Sequence, residues 1–288
     1  MAISTFIPAL WSARLLAHLD KNLVLGNLVN RDYEGEIRNF GDRVKINQIA
    51  DVVVKDYVKG TDLAYDDTDG TPTELVIDQS KYFAFKVNDV DAAQANIALM
   101  DRSLERASYA LRDVIDQRIA GHAKKAGSTL TVKDMESPEQ AYDSIVKLGT
   151  TLDENNVTRA GRWLVLPPWL YGLLQKDQRF VGTGSAAAEN RLTTGNVGSA
   201  AGFQIYESNN LLTVKSTNTV SVMAGTNAAI SLAVQILKTE SLRLEKDFAD
   251  AVRGLLVYGS LVVQPKALVV LNTNPKADTT GASETTGA

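Results

Sequence analysis

The sequence predicts an α+β fold, on three observations. Between residues 41 and 88 the apolar side chains recur at every second position. From about 92 to 122 they recur every three to four, and beyond 160 short strand-like runs dominate, with one brief helix among them. The chain has 288 residues, 44% hydrophobic and 22% charged. Chains of this length hide roughly three-quarters of their unfolded surface, so one large domain or two intertwined ones can stand without staples. No apolar run reaches the ~18 residues of a membrane-spanning helix.

Residues 6–29 carry apolar side chains with partly helical spacing (Leu10, Leu15, Leu16, Leu19, Leu23) and a lone Trp11; residues 30–36 read as a loop. Val44, Ile46, Val52 and Val54 then predict one strand or two, mirrored by 75–87, where Phe83, Phe85 and Val87 share a face opposite Tyr82, Ala84 and Lys86. Between them, residues 61–72 form an acidic, turn-rich tip. The stretch 41–88 is therefore expected to be one long two-stranded arm.

Asp91, with Gln94 three residues on, predicts a capped helix start. Ile97, Met100, Leu104, Ala107, Leu111, Ile115, Ile119 and His122 form its stripe. The stripe slips out of a seven-residue register, as in a straight helix packed on a globular body, and Arg118 occupies the next heptad position. Residues 92–122 would make a rod of roughly 46 Å, closed by Lys124, Lys125 and Gly127. Ser137-Pro138-Glu139-Gln140 starts a second helix, with a cap, an early proline and a capping box, running to about Leu152.

Arg162 to Leu166 reads as a buried strand, and Pro167-Pro168 opens a short helix from Trp169 to Lys176. Residues 181–202, rich in Gly, Ser, Ala, Thr and Asn, are expected to be a long flexible loop. Strand-like runs follow at 203–206, 220–224 and 229–237. A last apolar stretch, 252–271, is interrupted at Gly259-Ser260 and Gln264-Pro265-Lys266. The tail from Asn272 has no large side chain and is expected to be disordered.

The composition excludes much chemistry. There is no cysteine, and the two histidines are His18 and His122. Cys/His zinc sites, cysteine nucleophiles and disulfides are thus ruled out. The N-terminus lacks a secretory signal, which implies a cytoplasmic origin. Net charge is −4, unlike a protein that grips phosphate backbone. Gly182-Thr183-Gly184-Ser185-Ala186-Ala187 fits the loose G-x-G-x-x-A pattern, with Glu207 downstream. The preceding residues read as a helix end where a buried strand is required, so a surface loop is the better reading. Asp66, Asp67 and Asp69 before Gly70 resemble part of a calcium loop. Setting Gly70 sixth puts Tyr65 first and Val76 twelfth, so the register fails. No nucleophile elbow, Walker loop or H-E-x-x-H is present. Both histidines lie on apolar helical faces, and His122 near a helix C-terminus suits the macrodipole. Trp163, Trp169, Phe203 and Tyr258 read as core. No catalytic, cofactor or metal residue is assigned, and the chain is read as a non-enzyme.

What calls for a partner is the arm. An isolated ribbon is marginal in water, open edges invite association, and a bare face of Phe83, Phe85 and Val87 would cost several kcal/mol at roughly 25 cal/mol per Å². A sister copy is the expected cover.

Several segments resemble the major capsid (coat) proteins of tailed bacteriophages, whose fold the herpesvirus shell shares. They are Arg31-Asp32-Tyr33-Glu34-Gly35-Glu36-Ile37 with Gly41-Asp42-Arg43-Val44, and Gly161-Arg162-Trp163-Leu164-Val165-Leu166-Pro167. Gly202-Phe203-Gln204-Ile205-Tyr206-Glu207-Ser208-Asn209-Asn210-Leu211 and Val252-Arg253-Gly254-Leu255-Leu256-Val257-Tyr258-Gly259 complete the set, over about residues 4–272. The resemblance implies an N-terminal arm (1–40), an extended β-hairpin loop across the adjacent subunit (41–89), and a peripheral domain with a long spine helix (90–139 and 246–272). An axial α/β domain (140–245) and a disordered tail (273–288) complete it. It implies hexamers and pentamers closing an icosahedral shell, first as a procapsid, in the bacterial host cytoplasm. The implied partners are further copies of the chain, a separate scaffolding protein, a portal, a decoration protein, and DNA touched weakly and non-specifically; no membrane is involved. Met1 leads directly into the arm, which implies no proteolytic trimming, and no isopeptide crosslink is matched to residues here. The rival readings are a cellular nanocompartment shell of the same fold, a tail or decoration protein, and a nucleotide-dependent enzyme using Gly182 and Gly184.

Overall fold

The computed structural model describes residues 23–34, 39–46, 72–88, 98–177, 198–243 and 249–276, with the single residues 54, 56 and 179. Twelve strands among these are β1 (Arg43–Ile46), β2 (Thr73–Val76), β3 (Gln79–Asn88), β4 (Ser128–Met135), β5 (Trp163–Leu166), β6 (Ser199–Ala200), β7 (Phe203–Glu207), β8 (Thr213–Val214), β9 (Thr219–Gly225), β10 (Ile230–Arg243), β11 (Ala249–Val262) and β12 (Leu268–Pro275). The α-helices are α1 (Ala98–Gly121), α2 (Pro138–Glu154) and α3 (Pro168–Gln175).

A seven-stranded mixed sheet runs in the order β4-β12-β9-β5-β7-β6, with β8 added to β9. It is covered on both sides. Leu164, Leu166, Val222, Ala224, Val269 and Leu271 pack on Ile145, Leu148 and Leu152 of α2 and on Leu170 and Leu174 of α3. The opposite face offers Trp163, Val165, Met223, Leu268 and Val270 to Leu104, Leu111, Ile115 and Ile119 of α1. All four residues of β5 are therefore buried, and it reads as an unbroken apolar run.

The second sheet has the order β10-β11-β3, antiparallel throughout. Its inner face joins α1 in the same core, with Ile230, Leu232, Val252, Leu256 and Tyr258. On its outer face the β1–β2 pair buries Val44, Ile46, Leu75 and Ile77 against Ala233 and Val257.

The second helix start is built as the residues require. Ser137 caps the Gln140 N–H, while Gln140 reaches one residue further back, accepting from the Glu136 N–H at 3.2 Å. The end of α2 is held by Arg162, which is almost fully buried. Its guanidinium donates to the carbonyls of Val157, Thr158 and Gly149 and pairs with Asp153 at 2.8 Å. This fixes α2 to the root of β5 and gives the Gly161-Arg162-Trp163 segment a structural purpose.

The sequence reading is corrected at several points. Residues 41–88 are not one ribbon: β1 pairs with β2 over four residues, but β3 pairs with β11, from Asn88↔Ala249 to Gln79↔Tyr258. β4 and β12 lie in the larger sheet beside β5 and β9, and β10 lies in the smaller one. α1 ends at Gly121, followed by a 3-10 turn over His122–Lys125. Gly127 serves close approach, since a Cβ there would meet the Pro265 carbonyl oxygen at 2.5 Å. Asn272 to Pro275, expected to open the disordered tail, belong to β12, and Thr273 is fully buried; residues 277–288 lie outside the described residues. Residues 61–71 of the acidic tip, the Asp91 cap, His18, Gly182, Gly184 and most of the 181–202 loop lie outside the described residues.

Candidate assembly surfaces

Three surfaces bear on whether this chain stands alone. The first is the N-terminal segment. Residues 25–27 form a 3-10 turn, Leu23, Leu25 and Val29 enter the main core, and Asn30 makes a parallel bridge to Ser231 at the start of β10. Its seat is Asp116 of α1, fully buried, whose carboxylate accepts the N–H groups of Val24 (3.2 Å) and Gly26 (3.1 Å). Burial pushes this carboxyl up to about 6, against the opposing pull of the two N–H donors and of Arg112. The described part of the expected clasping arm thus lies on its own chain.

The second surface is the base of the β1–β2 pair. It crosses β11 so closely that a Cβ at Gly259 would lie 2.3 Å from the Val76 carbonyl oxygen. Arg118 of α1 pairs with Asp78 at 2.8 Å beside this crossing, and Arg43 pairs with Glu74 across the two strands at 3.1 Å.

The third is β3 and its surroundings. Phe83 and Phe85 stack with ring centroids 6.3 Å apart and pack, half-buried, on their own chain's core. A Cβ at Gly254, the register partner of Phe83, would lie 2.3 Å from that ring; the missing side chain is what lets the ring lie down. Part of both rings is covered by their own chain, because β3 has left the ribbon; the part left uncovered lines a groove toward α1. The Val87 side chain lies outside the described residues. What remains open is the other face and the edge. Among the described residues β3 pairs only with β11, leaving one edge of a ten-residue strand free. On the outer face Tyr82 is 78% exposed beside its register partner Leu255, 38% exposed. A groove of about 570 Å³ between β3 and α1 is lined by Tyr82, Phe85, Ser103, Arg106 and Ala107, among others. Alongside it the Arg112 guanidinium lies 4.0 Å above the Tyr109 ring.

Among the described residues no constellation of catalytic groups accompanies these surfaces. His122 is buried and hydrogen-bonds Ser260 at 2.8 Å. Burial first, then Lys125 and Arg118, lowers its pKa to about 4, so it is a neutral packed residue rather than the cation that a helix terminus favours. α3 and Lys176 precede the 182–187 glycines, where a dinucleotide site needs a strand. Among the described residues no cluster of acidic or histidine side chains could hold a metal, and no helix is long and apolar enough to cross a membrane. Trp163, Phe203 and Tyr258 are core residues as read, and Trp169 lies partly buried on the α2–α3 core.

The family model described as phage capsid protein matches residues 71–271. The chain belongs to the phage capsid protein family. A structure from Mycobacterium phage Che8 is 31% identical, with a TM-score of 0.71 over 86% of this chain and 90% of that one. The capsid structure of the cyanophage P-SCSP1u gives a TM-score of 0.68 at 15% identity, over 86% of each chain. A virus-like particle from Pyrococcus furiosus gives 0.55 at 16% identity, over 91% and 98%. The last two show the fold alone. No curated protein matches the sequence. This capsid protein is accordingly a structural, shell-forming protein of a virion, and its α+β fold is that of phage capsids.

The elements that sequence reasoning missed are β4, the two-residue strands β6 (within the expected 181–202 loop) and β8, and the true partner of β3. Thr129-Leu130-Thr131-Val132 alternates with β-branched residues, and that signal was available for β4. Nothing local names β11 as the partner of β3.

Proposed function

We propose that this capsid protein closes an icosahedral shell of hexamers and pentamers around phage double-stranded DNA, from a procapsid built on a scaffolding protein in the bacterial host cytoplasm. Residues 90–139 and 246–272 would form its peripheral part around α1 as the spine helix, and 140–245 its axial part, with β4, β10 and β12 shared as described. A portal and a decoration protein are the further partners. The observation that carries the reading is the exposed Tyr82–Leu255 pair beside the edge of β3 that no described strand pairs, on a chain of the capsid family. A long uncovered edge is a liability that an assembly partner removes. The groove beside it, with Arg106 and the nearby Arg102, fits the acidic 61–72 loop of an adjacent copy. A net charge of −4 suits a wall that must not hold packed DNA.

The test is sedimentation and negative-stain microscopy of the purified protein, alone and with its scaffold. Hexamers, pentamers or closed shells are expected; a monomer that persists at high concentration with scaffold present would overturn the proposal. Nucleic acid inside native particles separates a virion from a nanocompartment loaded with enzymes.

A further inference from the structure

The Asp116 seat has a consequence for the N-terminal segment that assembly does not supply. This carboxylate is fully buried, and its bonded donors among the described residues are the two backbone N–H groups of Val24 and Gly26, both neutral. The guanidinium one turn away, Arg112, is bonded to Asp113 at 2.8 Å, and Asp113 also accepts from Asn210. Residues 23–30 bring no charged side chain of their own; Arg31, just beyond, pairs with Glu34. When the segment lies down it therefore closes an apolar lid, Leu23 and Leu25, over a carboxylate with no cation bonded to it. Burying such a charge is costly, and neutral donors offset only part of the cost. The groups that face Asp116 electrostatically are Arg112, which favours its charge, and Asp113, which opposes it.

We propose that residues 23–30 form a strap whose docking on α1 takes up a proton at Asp116. Docked, the carboxyl titrates near 6; undocked and hydrated it returns to its ordinary range, near 3.8. Proton uptake on docking means that acid tightens the strap and neutral pH loosens it. The Asn30–Ser231 bridge, held by the Asn30 N–H on the Ile230 carbonyl at 2.9 Å and the Leu232 N–H on the Asn30 carbonyl at 2.8 Å, anchors the far end.

The experiment is hydrogen exchange, read by mass spectrometry on the 23–30 peptide of the full-length protein and corrected for intrinsic exchange. Protection in the wild type should rise about tenfold from pH 7.5 to pH 5. In Asp116→Asn the rise should vanish. In Leu25→Ala protection should fall at every pH while the rise persists. Protection independent of pH in the wild type would overturn the proposal without any variant, and an undiminished rise in Asp116→Asn would assign the proton elsewhere and overturn it too. Neither outcome bears on shell formation, so the two readings fail separately.

Discussion

Asp116 and His122 sit six positions apart on the same side of the core, and their titrations oppose each other. Native Asp116 holds its proton to about pH 6 against an ordinary 3.8, so between pH 4 and 6 the folded chain binds more protons than the unfolded one, and this group's contribution falls as pH rises. Native His122 gives up its proton near 4 against 6.5, so its contribution rises with pH across 4 to 6.5. The two shifts are similar in size and largely cancel. His122→Gln should therefore leave a chain that loses about 2 kcal/mol relative to the wild type as pH rises from 4 to 6. Asp116→Asn should show the opposite slope. Denaturant midpoints at pH 4.5, 5.5 and 7 measure both; parallel curves for the two variants would contradict the assignment.

Elements meet through backbone as much as through side chains. At Gly259 the obstacle to a Cβ is the Val76 carbonyl, part of a paired strand that cannot swing aside. Gly259→Ala should dislodge the β1–β2 stem and cost at least about 2 kcal/mol, seen as a lower denaturant midpoint and faster exchange in β2. Gly121 has open space around it and helical φ and ψ of −59° and −24°. Gly121→Ala should be neutral to stabilising, by up to about 1 kcal/mol. Most elements were legible from local pattern. The Ser137 cap, the proline-led start of α3, the β5 run and the breaks at 263–267 all carry their instructions within a few residues. What sequence could not convey was pairing. A stretch with Phe83, Phe85 and Tyr82 shows two faces, but whether its edge joins the 44–54 run, about 30 residues away, or β11, some 170 away, depends on contacts that no window contains. The assembly surface was read incompletely for the same reason: the face taken as bare is half covered by its own chain, and Tyr82 on the other face is the more exposed ring.

At the scale of the molecule, the β3 pairing changes where the segment between β1 and β2 can be cut. Leu75 and Ile77 are fully buried and β3 is part of the core, so removing residues 50–80 would take the fold with it. Replacing residues 50–69 by a short Gly/Ser turn should instead leave a soluble chain of wild-type stability that sediments as subunits or small oligomers and closes no shells. Shells of normal size from that variant would show that the loop is not the assembly element.

The place of β12 carries a last consequence. It follows every other described element in the chain, yet it lies inside the larger sheet, between β4 and β9. A chain cut short before Leu268 therefore leaves β4 without its partner and one edge of β9 open. Such a product is a substrate for chaperones and proteases, not a half-finished brick able to enter a growing lattice. Quality control is thus written into strand order: only a chain translated beyond Pro275 can become a building unit.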